Sequence, residues 1–373
     1  MQASELTALT SQLLWGAFAL SFLFGAIAQR THFCTMGAVS DIVNMGEWSR
    51  MRQWAMAAGV AMLGFAALVQ MGLIDPAKTL YASNRWIWLS ALAGGLMFGF
   101  GMVLASGCGS KTLVRIGGGS LKSLVVFGVL GLSAFATLKG ITAVVRVATV
   151  DRVAVEFTGN AALSNWAAQA LGLKLPLAGL ILAVVLGGAL ILWALIGFLR
   201  SEHLGENLLS GLGIGAIVVA MWWLSGKLGY VPEHPETLQE AFLATNSGRA
   251  EALSFVSPVA FTLDWLMFFS DKSKVLTIGI VSVFGVIAGS ALVALANRTF
   301  RWEGFGSPED VGNHLAGGAL MGVGGVTAMG CTIGQGLSGI STLSASSFVA
   351  VAAIIVGALV AFKYQNWRLE RMG

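Results

Sequence analysis

Charge is what this 373-residue sequence has least of. Asp, Glu, Lys and Arg make up 11% of it against 56% hydrophobic residues, whereas roughly a quarter of an ordinary soluble domain is charged. That shortage excludes a soluble protein. Proline occurs six times and no polar low-complexity run is present, which excludes a disordered or collagen-like chain. Three cysteines, Cys34, Cys108 and Cys331, are too few and too far apart for a metal site or a disulfide framework, so neither a metal nor a cofactor is expected. The net charge of +4 comes with no Lys/Arg-rich tract, which argues against nucleic acid as a partner. No basic residue precedes Arg30, so the start lacks the positive region of a cleavable signal peptide. There is no G-x-x-x-x-G-K-[ST] for direct nucleotide drive, and no C-x-x-C for a membrane thiol oxidoreductase.

What is abundant is apolar length and glycine. Runs free of Asp, Glu, Lys and Arg cover 6–29, 53–74, 86–110, 177–199, 207–226 and 275–296, each near the ~20 residues that a bilayer-spanning helix needs. The texture lacks the alternation of a membrane β-barrel. The expected fold is therefore an all-α polytopic membrane protein of about nine transmembrane helices, at 11–29, 53–73, 87–105, 122–146, 175–199, 207–226, 275–296, 312–329 and 346–363. In the fourth, Lys139 and Arg146 must snorkel, face a cavity or mark an earlier exit. Glycine, at 49 residues against about 7% in typical proteins, implies backbones that pass very close to one another or to a cargo.

Basic residues mark cytoplasmic loops. The C-terminal tail holds Lys363, Arg368 and Arg371, which with nine spans sets the C-terminus inside and the N-terminus outside. The inside loops then carry Arg30, Arg50 and Arg52, then Lys111, Arg115 and Lys122, then Arg298 and Arg301. The outside loop 227–254 is acidic, with Glu233, Glu236, Glu240 and Glu251 against Lys227 and Arg249. Lys272 and Lys274, also outside, run against the rule.

The chain repeats itself at an offset of 223 residues. Gly94 to Cys108 reads GGLMFGFGMVLASGC, Gly317 to Cys331 reads GGALMGVGGVTAMGC, and eight of the fifteen positions are identical. The same offset takes Asp41 to Asp264 and Cys34 to Ser257. In the orientation above the two segments run in opposite directions, so the repeat is inverted. That divides the chain into a first repeat over 1–150 with Cys34 and Cys108, a connecting span and loops over 151–206, and a second repeat over 207–373 with Cys331. Inverted repeats are a common transporter architecture, with the site at the repeat interface in broken helices. The breaks are supplied by Ser106-Gly107-Cys108-Gly109-Ser110 and by Gly330 to Gly336, which cannot continue as helix in lipid and must line a protected cavity. Exposed N–H groups at a following half-helix favour an anion.

A free cysteine in a span is commonly a small apolar filler. Two at equivalent repeat positions, and a third in His-Phe-Cys-Thr-Met-Gly where another apolar segment breaks, point instead to a substrate path lined by Cys34, Cys108 and Cys331, with Gly107, Gly109, Gly330 and Thr332 as supporting loop residues. Buried thiols are weak hydrogen-bond donors and acceptors rather than nucleophiles. His32, Lys111 and Arg115 could draw an anion inward, although interfacial placement and the positive-inside rule also account for them. His314 is similarly ambiguous. Asp41 and Asp264 could cap half-helices or bind a cation. Trp86, Trp88, Trp222 and Trp223 read as interfacial anchors.

Through FCTMGAVSD at 33–41, GFGMVLASGCG at 99–109 and GVGGVTAMGCTIGQGLSG at 322–339, the chain resembles the YeeE/YedE family of sulfur-transport membrane proteins over nearly its full length. The resemblance implies uptake of thiosulfate across the bacterial inner membrane, with Cys34, Cys108 and Cys331 handling the terminal sulfur. It also implies other sulfur or selenium species as alternative cargo, and for some members a small TusA-like cytoplasmic sulfur-carrier protein as partner.

Overall fold

Glycine brings the central helices of this protein together backbone to backbone. In a computed structural model, which describes residues 3–157, 159–235 and 237–372, helices α4 (Trp88–Leu104) and α14 (Pro308–Thr327) cross along the repeated glycine motif. A Cβ on Gly94 would lie 2.6 Å from the Gly324 carbonyl oxygen, and one on Gly324 would lie 2.6 Å from that of Gly94. Gly101 and Gly317 repeat this relationship at 2.7 and 2.6 Å. Under the 223-residue offset Gly94 becomes Gly317 and Gly101 becomes Gly324, so the two contacts are images of each other about a pseudo-twofold axis. Rising numbers in α4 meet falling numbers in α14. Equivalent helices thus run antiparallel, which is the geometric content of an inverted repeat.

The other elements follow the same symmetry. The first set is α1 (Ala3–Arg30), α2 (Thr35–Met45), α3 (Ser49–Gln70), α4, α5 (Gly109–Gly117) and α6 (Leu121–Lys139). The second is α11 (Leu204–Trp223, extended by a π turn to Leu228), α12 (Val256–Met267), α13 (Ile278–Ala296), α14, a short helix over 332–341 that is π-helical at Gly334–Gly339, and α15 (Ala345–Met372). Packing is interwoven: α1 lies on α13 as α3 lies on α11, and α4 lies on α15 as α14 lies on α6. Neither half forms a core without the other. Between them stand α7 (Ile141–Ala148), α8 (Leu163–Leu171) and one span made of α9 (Leu175–Leu182), a π turn at Ala183–Gly187 and α10 (Gly188–Phe198), which packs outside α3. Sheet is confined, among the described residues, to two-residue pairs: Arg85–Trp86 with Val155–Glu156, and Tyr230–Val231 with Ala241–Phe242.

Eight helical segments among the described residues are long and apolar enough to cross a membrane, so the chain is an all-α polytopic membrane protein. The ninth expected segment, 312–329, is α14. It is helical but begins with Glu309 and Asp310 and is diluted by glycine, and it is sheltered between α4 and α6. The fourth span ends at Lys139 with a break at Gly140, so Arg146 lies on the separate helix α7, where it pairs with Asp151.

Three smaller expectations need correction. Ion pairs take up the carboxylates of Asp41 and Asp264: Asp41 grips Arg50 at the start of α3, with Nη2–Oδ1 at 2.6 Å, and Asp264 pairs with Lys274 at 2.6 Å. The first pair ties α2 to the start of α3, and the second ties α12 to the loop that leads into α13. Trp222 is no interfacial anchor, being fully buried with its Nε1 donating to Ser341 Oγ at 3.0 Å, because α11 is wedged against α3 and the 332–341 helix. His314 is a buried packing residue bonded to the Asp310 carbonyl at 2.7 Å. Glu236 of the acidic loop lies outside the described residues.

Candidate functional site

Each cysteine follows a helix that is stopped in the same way. His32, Ser106 and Met329 have φ of 53°, 55° and 58°, and each stands two residues before a cysteine. This left-handed residue ends the incoming helix. At the two repeat-related breaks the bonds coincide: Gly107 N–H reaches the Met102 carbonyl and Gly330 N–H the Gly325 carbonyl, both at 2.8 Å, while Ser106 and Met329 bond Val103 and Val326 at 3.1 and 3.0 Å. The chain then turns extended, and Cys34 and Cys108 become the N-caps of α2 and α5. Cys331 stands just ahead of the 332–341 helix.

At an N-cap a side chain faces the first free amide groups of its helix. Cys34 Sγ accepts from Gly37 N–H at 3.4 Å, and Cys331 Sγ accepts from Gly334 N–H at 3.4 Å. Cys108 Sγ instead lies 3.3 Å from Ser110 Oγ. The fourth half-helix, α12, has Phe255 at its N-cap.

These four helix starts converge. The thiols of Cys34 and Cys108 are interacting neighbours, although 74 positions separate them in the chain. The Thr332 side chain borders the Cys108 sulfur, and Cys331 is close to Cys108 and to the amide of Phe255. All three cysteines are free and buried, at 6%, 0% and 0% exposure. Gly109 opens α5 with the Phe255 side chain just beyond it, and a Cβ on Gly107 would press on Lys111 Cγ at 3.3 Å. Gly330 backs onto Gln335, which donates to the Ala328 carbonyl at 2.6 Å and braces the break. The structure therefore assembles Cys34, Cys108, Cys331, Gly107, Gly109, Gly330 and Thr332 in one region, although the chain distributes them over both repeats.

The surroundings of the three cysteines differ in charge. Beyond Cys34 and Cys108 stand Lys111, Arg115, Arg50 and His32. Arg50 is neutralised by Asp41, whereas Lys111 has no ion-pair partner among the described residues. On the side of Cys331, Tyr81 donates to the Gly334 carbonyl at 2.6 Å. A cavity of about 210 Å³ lies there, lined by Asn246, Glu251, Ser254, Ser257 and Met329 among others. Glu251 has no basic partner among the described residues: Ser247 donates to it at 2.9 Å, and burial pushes its carboxyl up to about 7. Arg249 is turned away, to the Ala82 carbonyl at 2.6 Å.

Some of this was beyond sequence reasoning. Tyr81 and Glu251 come from loops with no motif, and Phe255 enters through a backbone amide. The recurrence of Cys-Thr-x-Gly at 34–37 and 331–334 was the available signal that two thiols share one local geometry, and the 223-residue offset does not align them.

Known proteins resemble this chain over most of its length. The model of the sulphur transport family matches residues 30–360. The thiosulfate transporter TsuA of Escherichia coli K12 is 27% identical over 345 residues, 90% of each chain. The thiosulfate transporter TsuA of Spirochaeta thermophila is 27% identical over 358 residues, 92% of this chain and 97% of that one. A probable transporter of E. coli K12, YedE, matches at 30% over 110 residues, 30% of this chain and 26% of its own. With a match that runs from the first cysteine break to the last helix, the chain belongs to the sulphur transport family.

Proposed function

We propose that this protein carries thiosulfate inward across the bacterial inner membrane, through a path formed by Cys34, Cys108 and Cys331. One observation carries the reading: four half-helices from both repeats start in the region of the three thiols, where Cys108 neighbours both Cys34 and Cys331. A dianion leaving water loses tens of kcal/mol of hydration in an apolar medium, and each helix start returns the equivalent of about half a positive charge. Free amides at these starts and the unpaired Lys111 favour an anion without fixing it in a tight ion pair. The thiols supply soft, weak donors, matched to a terminal sulfur more than to a sulfate oxygen. The names of the TsuA relatives support the choice of thiosulfate.

In the proposed orientation the N-terminus is outside and the C-terminus cytoplasmic. The cavity lined by Met329, Ser254 and Glu251 then faces outward, and Lys111 and Arg115 face the cytoplasm, where a TusA-like sulfur-carrier protein would dock. The repeats over 1–150 and 207–373, joined by 151–206, form the two halves around this path. The test is uptake of radiolabelled thiosulfate by cells lacking other sulfate and thiosulfate transporters. Label should accumulate on expression of this chain. A partner's changed thiol redox state without movement of label would replace transport with oxidoreduction.

A further inference from the structure

Helix starts at two of the cysteines hold a second polar group that, among the described residues, bonds to no nitrogen or oxygen. In Cys34-Thr35-Met36-Gly37 and Cys331-Thr332-Ile333-Gly334 the glycine amide goes to the sulfur, and the threonine is the first residue of the helix. Thr35 and Thr332 are 4% and 2% exposed, and among the described residues neither Oγ1 has a nitrogen or oxygen partner, Thr332 having only the Cys108 sulfur beside it. Among the fully buried hydroxyls that are described, only Ser282 of α13 shares that state.

Other buried threonines show what is unusual here. Thr112, Thr137, Thr262 and Thr327 each return the hydroxyl to the carbonyl four residues earlier, at 3.1, 2.7, 2.7 and 2.7 Å. Thr35 and Thr332 cannot, because as first helical residues they have no preceding turn of their own helix to bond. A buried hydroxyl left unpaired is destabilising, and these two stand next to cysteines of the proposed path. At Cys108 the corresponding first residue is Gly109, and it is the Thr332 side chain that borders this sulfur.

We propose that Thr35 and Thr332 are specificity-determining residues that donate to the oxygen atoms of a sulfur oxyanion while the adjacent thiols take its sulfur end. The inference rests on the thiosulfate reading above and adds to it a division of labour: one Cys-Thr pair reads both ends of the anion. A ligand with a large soft atom and hard oxygens satisfies the pair, and a ligand with one kind of atom leaves half of it unused.

The test uses Thr35→Val and Thr332→Val, which keep the volume and remove the hydroxyl, with Thr35→Ser and Thr332→Ser as conservative controls. Labelled thiosulfate uptake is measured over a range of concentrations, and melting temperature is measured on the purified protein with and without thiosulfate. Each Val variant should raise KM for thiosulfate about tenfold, the scale of one hydrogen bond to a charged group, and each Ser variant should stay within about twofold of the wild type. Without thiosulfate the Val variants should melt at or above the wild-type temperature, since an orphan hydroxyl has been removed, and the rise on adding thiosulfate should shrink. A structural hydroxyl gives the reverse, a lower melting temperature with unchanged KM, and that result overturns the proposal. Loss of the Val variants from the membrane, together with Thr35→Ala and Thr332→Ala, overturns it as well. Wild-type uptake with Val variants of normal KM removes the threonines' role and leaves the thiosulfate reading intact, whereas absence of wild-type uptake removes that reading itself.

Discussion

Ser106 and Met329 occupy the same left-handed backbone region, at φ 55° and 58°, each two residues ahead of a buried cysteine. A non-glycine residue there costs roughly 1 kcal/mol, and the repeat retains that strain in both halves while placing glycine at the next position. The left-handed turn aims the following Gly-Cys into the protein centre, and the cysteine then starts the next half-helix.

Replacing Met329 by glycine should therefore raise the melting temperature of the detergent-solubilised protein, by an amount equivalent to about 0.5–1 kcal/mol. Met329→Ile, which sets a β-branched side chain at positive φ, should lower it and reduce uptake. Equal stability of the two variants would mean that this turn is not under strain.

At the α4–α14 crossing, Gly94→Ala and Gly324→Ala each place a methyl group 2.6 Å from a carbonyl oxygen of the facing helix. Neither helix can yield without moving the cysteine break at its end. Each variant should destabilise by about 1–3 kcal/mol and depress uptake, read by melting temperature and transport together. The double variant should cost less than the sum, because one separation of the helices relieves both clashes. Strict additivity in a double-mutant cycle would contradict the reciprocal contact.

Glu251 supplies a pH signature. Burial raises its carboxyl from 4.5 to about 7, so the folded chain holds this proton more tightly than the unfolded chain does. The resulting stability is fully present below about pH 4.5 and is lost as pH rises through about 7. Between about pH 5 and about pH 8 the wild type should lose melting temperature relative to Glu251→Gln. A constant difference across that range would show that the carboxyl titrates normally.

Orientation is open to chemical labelling. A membrane-impermeant thiol reagent applied to intact cells should react with Cys331 ahead of Cys34 and Cys108, because the cavity beside Met329 opens on the side of loop 227–254. Preferential reaction at Cys34 would reverse the proposed topology.

Much of this architecture is written in the sequence because a bilayer imposes length and apolarity on every span, and because an inverted duplication leaves two copies of one pattern. The matched glycines of 94–108 and 317–331 announced both the close helix crossing and the paired cysteine breaks. Other features depend on proximity, which the chain order does not encode. Cys34 and Cys108 lie far apart in sequence and their side chains meet; Trp222 looks like an interfacial residue and is fully buried. Asp41 and Asp264 were recognisable as repeat equivalents, but their partners Arg50 and Lys274 follow at spacings of nine and ten residues, set by how each half-helix returns to the next span.

In the proposed mechanism, thiols at the half-helix starts recognise the sulfur of the anion. That recognition is tested most directly in proteoliposomes containing the wild type, Cys108→Ala and Cys108→Ser, by measuring uptake of labelled thiosulfate with and without a large excess of unlabelled sulfate. Thiol recognition gives uptake by the wild type that sulfate barely inhibits, none by the Ala variant although it is folded and inserted, and a reduced rate in the Ser variant, whose hydroxyl still donates a hydrogen bond but is smaller and less polarisable. Undiminished uptake by Cys108→Ala, or inhibition by sulfate as strong as that by unlabelled thiosulfate, would contradict recognition by the cysteines and leave a general anion pore.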